Sequence, residues 1–425
     1  MSSLVVVLEQ RAGRVSHNEY DRQPPERGIA MRGDMGEERS GRGLHVLMVT
    51  AHYFPHLGGV ETHTYEVARR LARRGVGAAV LTVDTTGQLP AAETIEGVTI
   101  ERVPAWPQGH DYYFAPAIAR EIARQRPDVV HVQGIHTLVA PLAMAAARRM
   151  GLPYVVTFHT GGNRSRLRNA LRGAQWRAQR PLLGRAARLI GVSRFEVATF
   201  RDGLRLPAER FAIVRNGAEM PPLPEVLPRR EGAGPLIVSI GRLERYKGHH
   251  RVIAALPLLR EHFPEARLLI LGGGPYEGAL RQLAADLGVG DWVDIRLIPP
   301  AARAELAVTL AGADVMTLLS DYEAHPIAVM EALALGCPVV VADTSGLHEL
   351  AEDGLVRAVP ASCPPAQVAA ALIGQVRQPL RPEVALPTWE DCADTLLEIY
   401  REAAGAAGLA RLGGLPGRHD AALAD

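Results

Sequence analysis

Residues 315–332 read VMTLLSDYEAHPIAVMEA, and this segment passes from a strand through a short loop into a helix. The apolar run at residues 315–319 predicts a buried strand. Pro326 suits the first turn of a helix, because no backbone N–H is needed there. Glu323 then lies in the loop before the helix, and Glu331 lies about a turn and a half inside it. A buried strand that leads directly into a helix is the repeating unit of a parallel sheet covered by helices.

The carboxylates of Glu323 and Glu331 flank the N-terminus of this predicted helix. A helix N-terminus attracts phosphate groups, whereas a carboxylate repels phosphate and accepts hydrogen bonds from hydroxyls. A ligand that carries both a diphosphate and polyhydroxylated rings satisfies the two demands together. The structural alternative is a capping carboxylate followed by a solvent-facing glutamate, and this segment alone leaves both interpretations open.

The same alternation of short apolar runs and helical stretches extends along the chain. Strands are predicted at residues 45–50, 78–83, 129–132, 154–158, 189–192, 236–240, 268–271, 315–319 and 338–341. Helices are predicted at residues 60–74 and 389–403, and another is predicted to start at Pro275. The pattern predicts an α/β fold of two Rossmann-like domains whose parallel sheets face a central cleft. Ligands bind such folds at the carboxyl ends of the strands.

Breaks in this pattern divide the chain into five parts. Residues 1–43 have the composition of a disordered tail. Residues 44–220 form the predicted N-terminal domain, and residues 236–387 form the predicted C-terminal domain. Residues 221–235 between them are rich in proline and glycine and are interpreted as a linker. The last predicted element is a helix within residues 388–410.

The overall composition excludes several classes of protein. The chain has 425 residues and 47% hydrophobic content, which suffices for two buried cores. It contains no apolar run long enough to span a membrane and no recognisable targeting segment, so we expect a cytoplasmic protein. The net charge of +1 argues against a dedicated nucleic-acid binder. Cys337, Cys363 and Cys392 match neither a disulfide framework nor a metal-binding spacing.

Residues 241–248 read GRLERYKG and place two cations, Arg242 and Lys247, on the loop after a predicted strand. Lys247 is the only lysine among 47 Lys and Arg residues, which makes it a candidate for chemistry that arginine cannot perform. Two such cations can clamp a diphosphate and stabilise the charge that develops when it leaves. The sequence contains no Asp-x-Asp pair to hold a divalent metal, so we expect a metal-independent site. The alternatives are solvated loop charges and a lysine retained by chance.

Two glycine-rich loops also precede predicted helices. Gly58 and Gly59 let a ligand approach the backbone amides of the first helix, which predicts an anion or acceptor site there; the alternative is a plain turn. Neither this loop nor GGGPYE at residues 272–277 matches GxGxxG, which disfavours a dinucleotide-dependent dehydrogenase. His52 and His56 have a spacing that suggests metal ligands, but Pro55 breaks the helix that would align them.

Taken in order, these motifs resemble the retaining glycosyltransferases of family 4, whose fold is the two-domain GT-B arrangement. The resemblance covers most of residues 44–403. Its motifs are GGVE at 58–61, TFH at 157–159, VS at 192–193, NG at 216–217, GR at 241–242, KG at 247–248, GGGP at 272–275 and the E-x7-E pair. The chain departs from the family at AHP, residues 324–326, where Gly-Phe often follows the first glutamate. It also departs at LIPP, residues 297–300, where a glycine is usual.

The resemblance implies a role for each candidate residue of the C-terminal domain. Glu331 would bind the nucleotide ribose, and Glu323 would contact the transferred sugar near the reacting centre. Arg242 and Lys247 would hold the diphosphate. The backbone amides of Ile327 and Ala328 would assist them.

The resemblance also implies the reaction. His159 and Gly59 would approach the donor sugar and diphosphate from the N-terminal, acceptor-side domain. The enzyme would transfer a hexosyl group with retention of configuration, from a UDP-sugar or, as the less favoured choice, a GDP-sugar. The departing diphosphate would act as the base. The nucleotide sugar is a substrate, so no cofactor is expected, and the acceptor is unidentified. The last helix would cross back onto the first domain.

Three alternative functions stay open on the sequence. A sugar-nucleotide epimerase or a phosphorylase shares this fold, although a phosphorylase would need a lysine for pyridoxal phosphate and Lys247 is already assigned. A nucleotide-binding module without catalysis is the alternative from a different class.

Residues 164–188 carry eight arginines, which suggest a peripheral contact with an anionic membrane. The expected location of this contact is the inner face of the membrane. An ordinary solvated helix face is the alternative to that contact.

Overall fold

The computed structural model describes residues 43–56, 58–106, 114–160, 166–227, 234–299 and 302–413. The predicted tail, apart from Gly43, lies outside these ranges. Among the described residues, eight strands form the first sheet: β1 (His45–Thr50), β2 (Gly77–Asp84), β3 (Ala92–Ile95), β4 (Val98–Pro104), β5 (Val129–Gln133), β6 (Tyr154–Thr157), β7 (Arg188–Gly191) and β8 (Phe211–Ile213). Their order is β3-β4-β2-β1-β5-β6-β7-β8. Neighbouring strands are parallel except for the antiparallel pair β3 and β4.

Helices connect these strands and cover both faces of the sheet. They are α1 (Gly59–Arg73), α2 (Ala117–Gln125), α3 (Val139–Arg149), α4 (Arg166–Leu183) and α5 (Arg194–Leu204). Successive residues of β1 enter different cores, because side chains alternate across a strand. Leu47 packs in the cluster that contains Ala143 of α3, whereas Met48 packs in the cluster that contains Leu71 of α1. A strand buried on both faces explains the continuous apolar run in this sequence.

The second sheet is parallel throughout its described pairings. Its strands are β9 (Leu236–Ile240), β10 (Arg267–Leu271), β11 (Val293–Arg296), β12 (Val315–Leu318), β13 (Val339–Asp343) and β14 (Arg357–Pro360), in the order β11-β10-β9-β12-β13-β14. The associated helices are α6 (His249–His262), α7 (Glu277–Asp286), α8 (Arg303–Ala311), α9 (Ile327–Ala334), α10 (Ser345–Glu352) and α11 (Pro365–Arg377). The strand order reverses between β9 and β12, which opens a crevice at their carboxyl ends.

The last described helix, α12 (Trp389–Gly413), follows the second sheet in sequence but packs on the first. Trp389 and Tyr400 lie in the same core as Val46 and Met48 of β1. The Tyr400 hydroxyl also lies 2.6 Å from Nδ1 of His131 on β5. The chain therefore passes between the two sheets once before β9 and again before α12.

The predicted fold class is confirmed: the structure is α/β with two parallel-sheet units. Each of the nine predicted strands is present within one or two residues at each end. Two helix predictions need correction, because α7 begins at Glu277 rather than Pro275 and α12 continues to Gly413 rather than residue 403. β3, β4, β8 and β14 were not predicted from the sequence, and β11 was expected only from the family resemblance, as a strand near Ile295. The boundaries assigned to the domains and linker stay predictions, and residues 228–233 of the linker lie outside the described part.

Candidate functional site

The candidate site lies at the crevice between β9 and β12. The loop after β9 carries Lys247, and the loop after β12 carries Glu323. Although these residues are 76 positions apart, Lys247 Nζ lies 2.7 Å from Glu323 Oε1. The two loops are joined at a second place, where the backbone N–H of Asp321 donates to the carbonyl of Tyr246 at 2.7 Å. The Tyr246 and Tyr322 rings stack 4.7 Å apart at the same junction.

The ion pair of Lys247 and Glu323 is largely shielded from water. Their side chains are 16% and 12% exposed, and the Ser320 hydroxyl donates to the same carboxylate oxygen at 2.7 Å. Burial opposes a charge on Lys247, but the Glu323 carboxylate outweighs it, so the pKa of Lys247 lies above its ordinary value. The site therefore holds a fixed positive charge beside a carboxylate that already has two donors.

Glycine at position 248 is required by the approach of the two loops. Gly248 has φ +78°, and a Cβ there would lie 1.9 Å from the carbonyl oxygen of Leu319. Any other residue would push the β12 loop away from the β9 loop. This close approach explains why Lys247 is followed by glycine.

The Glu323 backbone is held by the start of α10, which sequence analysis did not connect with the site. The Glu323 N–H donates to Ser345 Oγ at 2.8 Å, and the Gly346 N–H donates to the Glu323 carbonyl at 2.9 Å. A Cβ on Gly346 would lie 1.7 Å from the Ala324 carbonyl oxygen, so only glycine fits. The available sequence signal is the Ser-Gly pair that follows Thr344, the residue after β13.

Helix α9 begins where the sequence predicted it. Pro326 is the N-cap, and no side chain caps this end. The first-turn amides of Ile327 and Ala328 therefore lack a capping side chain and can bind an anion. Glu331 is the fifth residue of α9 and is buried.

Glu331 does not stand alone in the structure. Nη2 of Arg303, the first residue of α8, lies 2.7 Å from Glu331 Oε1. Burial raises the pKa of Glu331, and Arg303 opposes that rise. Sequence analysis missed Arg303, because its contact with Glu331 depends on how α8 and α9 pack.

Arg242 is placed differently from Lys247. Its side chain is 60% exposed, Nη2 donates to the Tyr246 hydroxyl at 2.8 Å, and Nη1 lies 3.1 Å from Glu244. The charge of Arg242 also acts on Glu61 of α1, whose pKa is raised by burial and lowered by Arg242. Arg242 is thus an exposed cation near the first glycine loop.

The first glycine loop leads into α1, which begins at Gly59. Its N-cap is Gly58, and no side chain caps this end of the helix. The carboxylate of Glu61 folds back toward Gly58, so that a Cβ on Gly58 would lie 2.5 Å from Glu61 Oε2. The loop therefore presents a carboxylate as well as backbone amides. This mixture suits a hydroxylated ligand better than a bare anion.

His159 follows β6 and belongs to a buried polar network. It has φ +55°, its Nε2 lies 2.7 Å from Gln133 Oε1, and its ring meets the His63 ring edge-on at 4.7 Å. Burial, together with the neighbouring histidines, holds the pKa of His159 well below its ordinary value. The imidazole is therefore neutral and suited to hydrogen bonding rather than to carrying charge.

Asn216 joins this network to the Glu323 loop. Its Oδ1 lies 2.9 Å from His63 Nδ1, and its Nδ2 donates to the His325 carbonyl at 2.8 Å. Asn216 is buried and comes after β8, so it connects the two sheet units beside the crevice. The Asn-Gly motif was noted in the sequence, but this contact could not be read from it.

The described residues contain neither a metal-binding cluster nor a membrane-spanning helix. Within the described ranges, no group of three or more His, Cys, Asp or Glu residues is arranged to hold a metal ion. His52 and His56 meet edge-on with ring centroids 5.6 Å apart. None of the helices in the described part has the length and apolar character needed to cross a bilayer.

Comparison with known proteins identifies the family. The model of "Glycosyltransferase Family 4" matches residues 57–220, and that of "Glycosyl transferases group 1" matches residues 228–380. A D-inositol 3-phosphate glycosyltransferase of Nocardiopsis dassonvillei is 30% identical over 392 residues, covering 81% of this chain and 89% of the relative. The chain belongs to glycosyltransferase family 4. The enzyme of the same name from Frankia alni is also 30% identical, over 83% of this chain and 96% of its own.

Solved structures place this family 4 glycosyltransferase in the GT-B fold. Sucrose-phosphate synthase from Thermosynechococcus elongatus has a TM-score of 0.70 at 20% identity, covering 85% of this chain and all of that one. Anabaena HepE in complex with UDP-glucose has a TM-score of 0.63 at 18% identity, covering 86% of this chain and all of that one. These likenesses establish the fold, and together with the curated relatives they confirm the resemblance that the sequence motifs indicated.

Proposed function

We propose that this glycosyltransferase transfers a hexosyl group from a UDP-sugar, or less favourably a GDP-sugar, with retention of anomeric configuration and without a metal ion. The observation that carries the proposal is the Lys247–Glu323 pair, which lies beside the N-terminus of α9 and faces the crevice of the second sheet. A buried cation, free helix amides and carboxylates within one site match a diphosphate attached to sugar rings.

The cations and amides stabilise the leaving group in this proposal. Lys247, Arg242 and the amides of Ile327 and Ala328 bind the diphosphate, whose negative charge grows as the bond between sugar C1 and the phosphate oxygen breaks. The acceptor hydroxyl forms the new bond to C1 on the same face. Its proton passes to the departing diphosphate oxygen, so the step needs no protein base.

Glu323 acts on the sugar, and Lys247 links the sugar and diphosphate sites. The carboxylate already accepts bonds from Lys247 and Ser320 through Oε1, which leaves Oε2 for a sugar hydroxyl. Lys247 can share its three N–H donors between Glu323 and the diphosphate. His159, neutral and bound to Gln133, approaches the donor from the first sheet, as does Gly59.

The nucleotide assignment rests on Glu331 and on the structural neighbours. In this proposal Glu331 accepts hydrogen bonds from ribose hydroxyls, which both UDP and GDP possess. HepE, which shares the fold, has been solved with UDP and with UDP-glucose, and this favours UDP over GDP as the nucleotide to test first. The curated relatives carry the name D-inositol 3-phosphate glycosyltransferase, so a polyhydroxylated, phosphorylated acceptor is the first to test.

We also propose that the enzyme works at the cytoplasmic side of a membrane, with α4 as the contact. Arg164 of the predicted basic region lies outside the described residues. Arg177 and Arg180 of α4 are exposed, as is Arg185 just after the helix. Arg180 Nε and Arg188 Nη1 each also donate to a backbone carbonyl at 2.7 Å. Exposed arginines favour anionic lipid. Co-sedimentation with vesicles should show a preference for anionic over neutral lipid, and equal binding to both would refute the membrane contact.

Thermal shift with UDP, GDP and ADP tests the donor proposal. The correct nucleotide at about 100 times its Kd should stabilise the enzyme by about 2.7 kcal/mol, which is readily seen as a rise in Tm.

Transfer is measured by the release of that nucleotide from its sugar conjugate in the presence of acceptor. NMR of the product then gives the anomeric configuration. An inverted product would refute retention. Nucleotide binding without turnover on any acceptor would favour the non-catalytic alternative, and formation of a new nucleotide sugar would favour an epimerase.

A further inference from the structure

Arg303 reaches from solvent to a buried carboxylate at the nucleoside end of the proposed donor site. Its side chain is 38% exposed, whereas that of Glu331 is 6% exposed. Nη2 of Arg303 and Oε1 of Glu331 are 2.7 Å apart. Arg303 therefore connects the buried carboxylate of Glu331 with the protein surface.

Two further contacts fix the guanidinium in place. Nη2 also lies 3.2 Å from the carbonyl oxygen of Glu219 and 3.1 Å from Sδ of Met220. Within the described chain, all three contacts use Nη2, so the N–H groups on Nη1 and Nε stay available to a ligand. The Glu331 contact likewise uses one carboxylate oxygen, Oε1, and leaves Oε2 for a second donor.

The charges around Glu331 give Arg303 a clear electrostatic task. Burial favours the neutral carboxyl, and the nearby charge of Glu66 on α1 acts in the same direction. Glu66 is itself paired with Arg69 and Arg70. Among the described residues, Arg303 is the cation in contact with Glu331, and its charge favours the ionised carboxylate, which is the better acceptor for hydroxyls.

We propose that Arg303 is a positioning residue of the donor site, which holds the Glu331 carboxylate ionised and aims Oε2 at the ribose. The proposal rests on the ribose role of Glu331 put forward above. Arg303 acts through Glu331. Removing Arg303 therefore weakens nucleotide binding most at the pH values at which Glu331 becomes protonated. A purely structural role, in which Arg303 only holds Glu219 and Met220, predicts a loss that is independent of pH.

Calorimetric titration with UDP and GDP at about pH 6 and about pH 8 separates these roles. The variants are Arg303→Met, Arg303→Lys, Glu331→Gln and the double variant Arg303→Met/Glu331→Gln. Arg296→Met serves as the matched control, because Arg296 at the end of β11 is similarly exposed and pairs with Glu305 of α8. Each affinity is compared with wild type at the same pH, which cancels the titration of the nucleotide phosphate.

Near pH 8, Arg303→Met should bind about tenfold more weakly than wild type, because the Glu331 carboxylate is no longer aimed at the ribose and a hydrogen bond weakens. The loss should be larger at about pH 6 than at about pH 8, because protonation of Glu331 removes an acceptor, and it should not exceed the loss in Glu331→Gln. Arg303→Lys should restore part of the affinity, the double variant should bind no more weakly than Glu331→Gln, and Arg296→Met should match wild type.

An Arg303→Met loss that is equal at both pH values, or that adds fully to the loss in Glu331→Gln, would overturn the positioning role alone. In both cases the wild-type enzyme still binds nucleotide, so the proposed donor site stands. Failure of wild type to bind either nucleotide would instead overturn the proposed function, and the role of Arg303 with it.

Discussion

Lys247 Nζ and Glu323 Oε1 are 2.7 Å apart and join two loops that follow neighbouring strands of the second sheet. The only lysine of the chain is thus paired with the first glutamate of the E-x7-E motif. An ammonium fits this position because it is compact and directs three donors to different acceptors. In the proposed function, the pair supplies both the charge that a diphosphate needs and an acceptor for sugar hydroxyls.

Loss of the Lys247 charge should reduce turnover strongly. Lys247→Met removes one charge-assisted hydrogen bond to the departing diphosphate, which costs about 1.5–3 kcal/mol, or about a tenfold to hundredfold loss of rate. Lys247→Arg should be intermediate, because it keeps the charge but not the compact geometry. Arg245→Met is the matched control on the same loop, since Arg245 contacts Tyr276 instead. Wild-type kcat in Lys247→Met would remove this lysine from the mechanism.

The two glutamates should differ in the kinetic step that they affect. Glu323→Gln should lower kcat more than nucleotide affinity, because its carboxylate lies where charge develops. Glu331→Gln should mainly weaken nucleotide binding by losing ribose hydrogen bonds. Steady-state rates and calorimetric titration of the nucleotide measure the two quantities separately. Equal effects on rate and affinity in both variants would contradict this division.

Transfer should proceed without a divalent metal. In the proposed mechanism, Arg242, Lys247 and the amides at the start of α9 supply the positive charge that a metal would otherwise provide. Initial rates should therefore be the same, within about twofold, in excess EDTA and in excess Mg²⁺. Loss of activity in EDTA that added Mg²⁺ or Mn²⁺ restores would show that this prediction is wrong.

His325 should make the enzyme sensitive to acid. Both ring nitrogens are buried without a hydrogen-bond partner among the described residues, and burial, followed by the charge of Arg215, lowers the pKa of His325 to about 3. In the unfolded chain the pKa returns to about 6.5. Between these values only the unfolded state binds the proton, so stability falls as the pH drops below 6.5.

At pH 5 this residue should cost about 2 kcal/mol of stability relative to neutral pH. His325→Phe should remove that part of the pH dependence and leave the contributions of the other buried histidines. Thermal unfolding at pH 5 and pH 7.5 measures the difference in Tm. The control is His262→Phe, an exposed position on α6, which should behave as wild type. An unchanged difference in Tm in His325→Phe would refute the role of His325.

The central strands were predictable because they are buried on both faces and therefore read as apolar runs. The strands that were missed lack this signal. β3 lies at a sheet edge with alternating half-exposed and exposed residues, and β8 has only three residues. β11 and β14 also form edges, where one neighbour is missing and charged residues are tolerated. β4 alternates only at its start, and its apolar run is interrupted by Glu101 and the buried Arg102.

Some residues of the candidate site could likewise be predicted from the sequence, and others could not. Glu323, Glu331 and the cations of the β9 loop could be predicted, because their spacing within one strand-loop-helix unit determines where they lie. Arg303, Ser345 and Asn216 could not be predicted, because each acts through a contact between segments far apart in the chain. Such contacts depend on how helices and loops pack, and no local pattern encodes them.

The two passages of the chain between the sheets touch each other. The Ala218 N–H, on the way to β9, donates to the carbonyl of Pro387, on the way to α12, at 2.9 Å. Two covalent connections joined at one place restrict how far the sheet units can separate there. Glu349 of α10 joins the units at a second place, because its carboxylate accepts from the Phe195 N–H at 3.1 Å and lies 3.2 Å from Nη2 of Arg215. The solvent-exposed Arg194–Asp353 ion pair adds little to these contacts. The junction between the sheet units therefore depends on the backbone and on buried polar groups more than on surface charge.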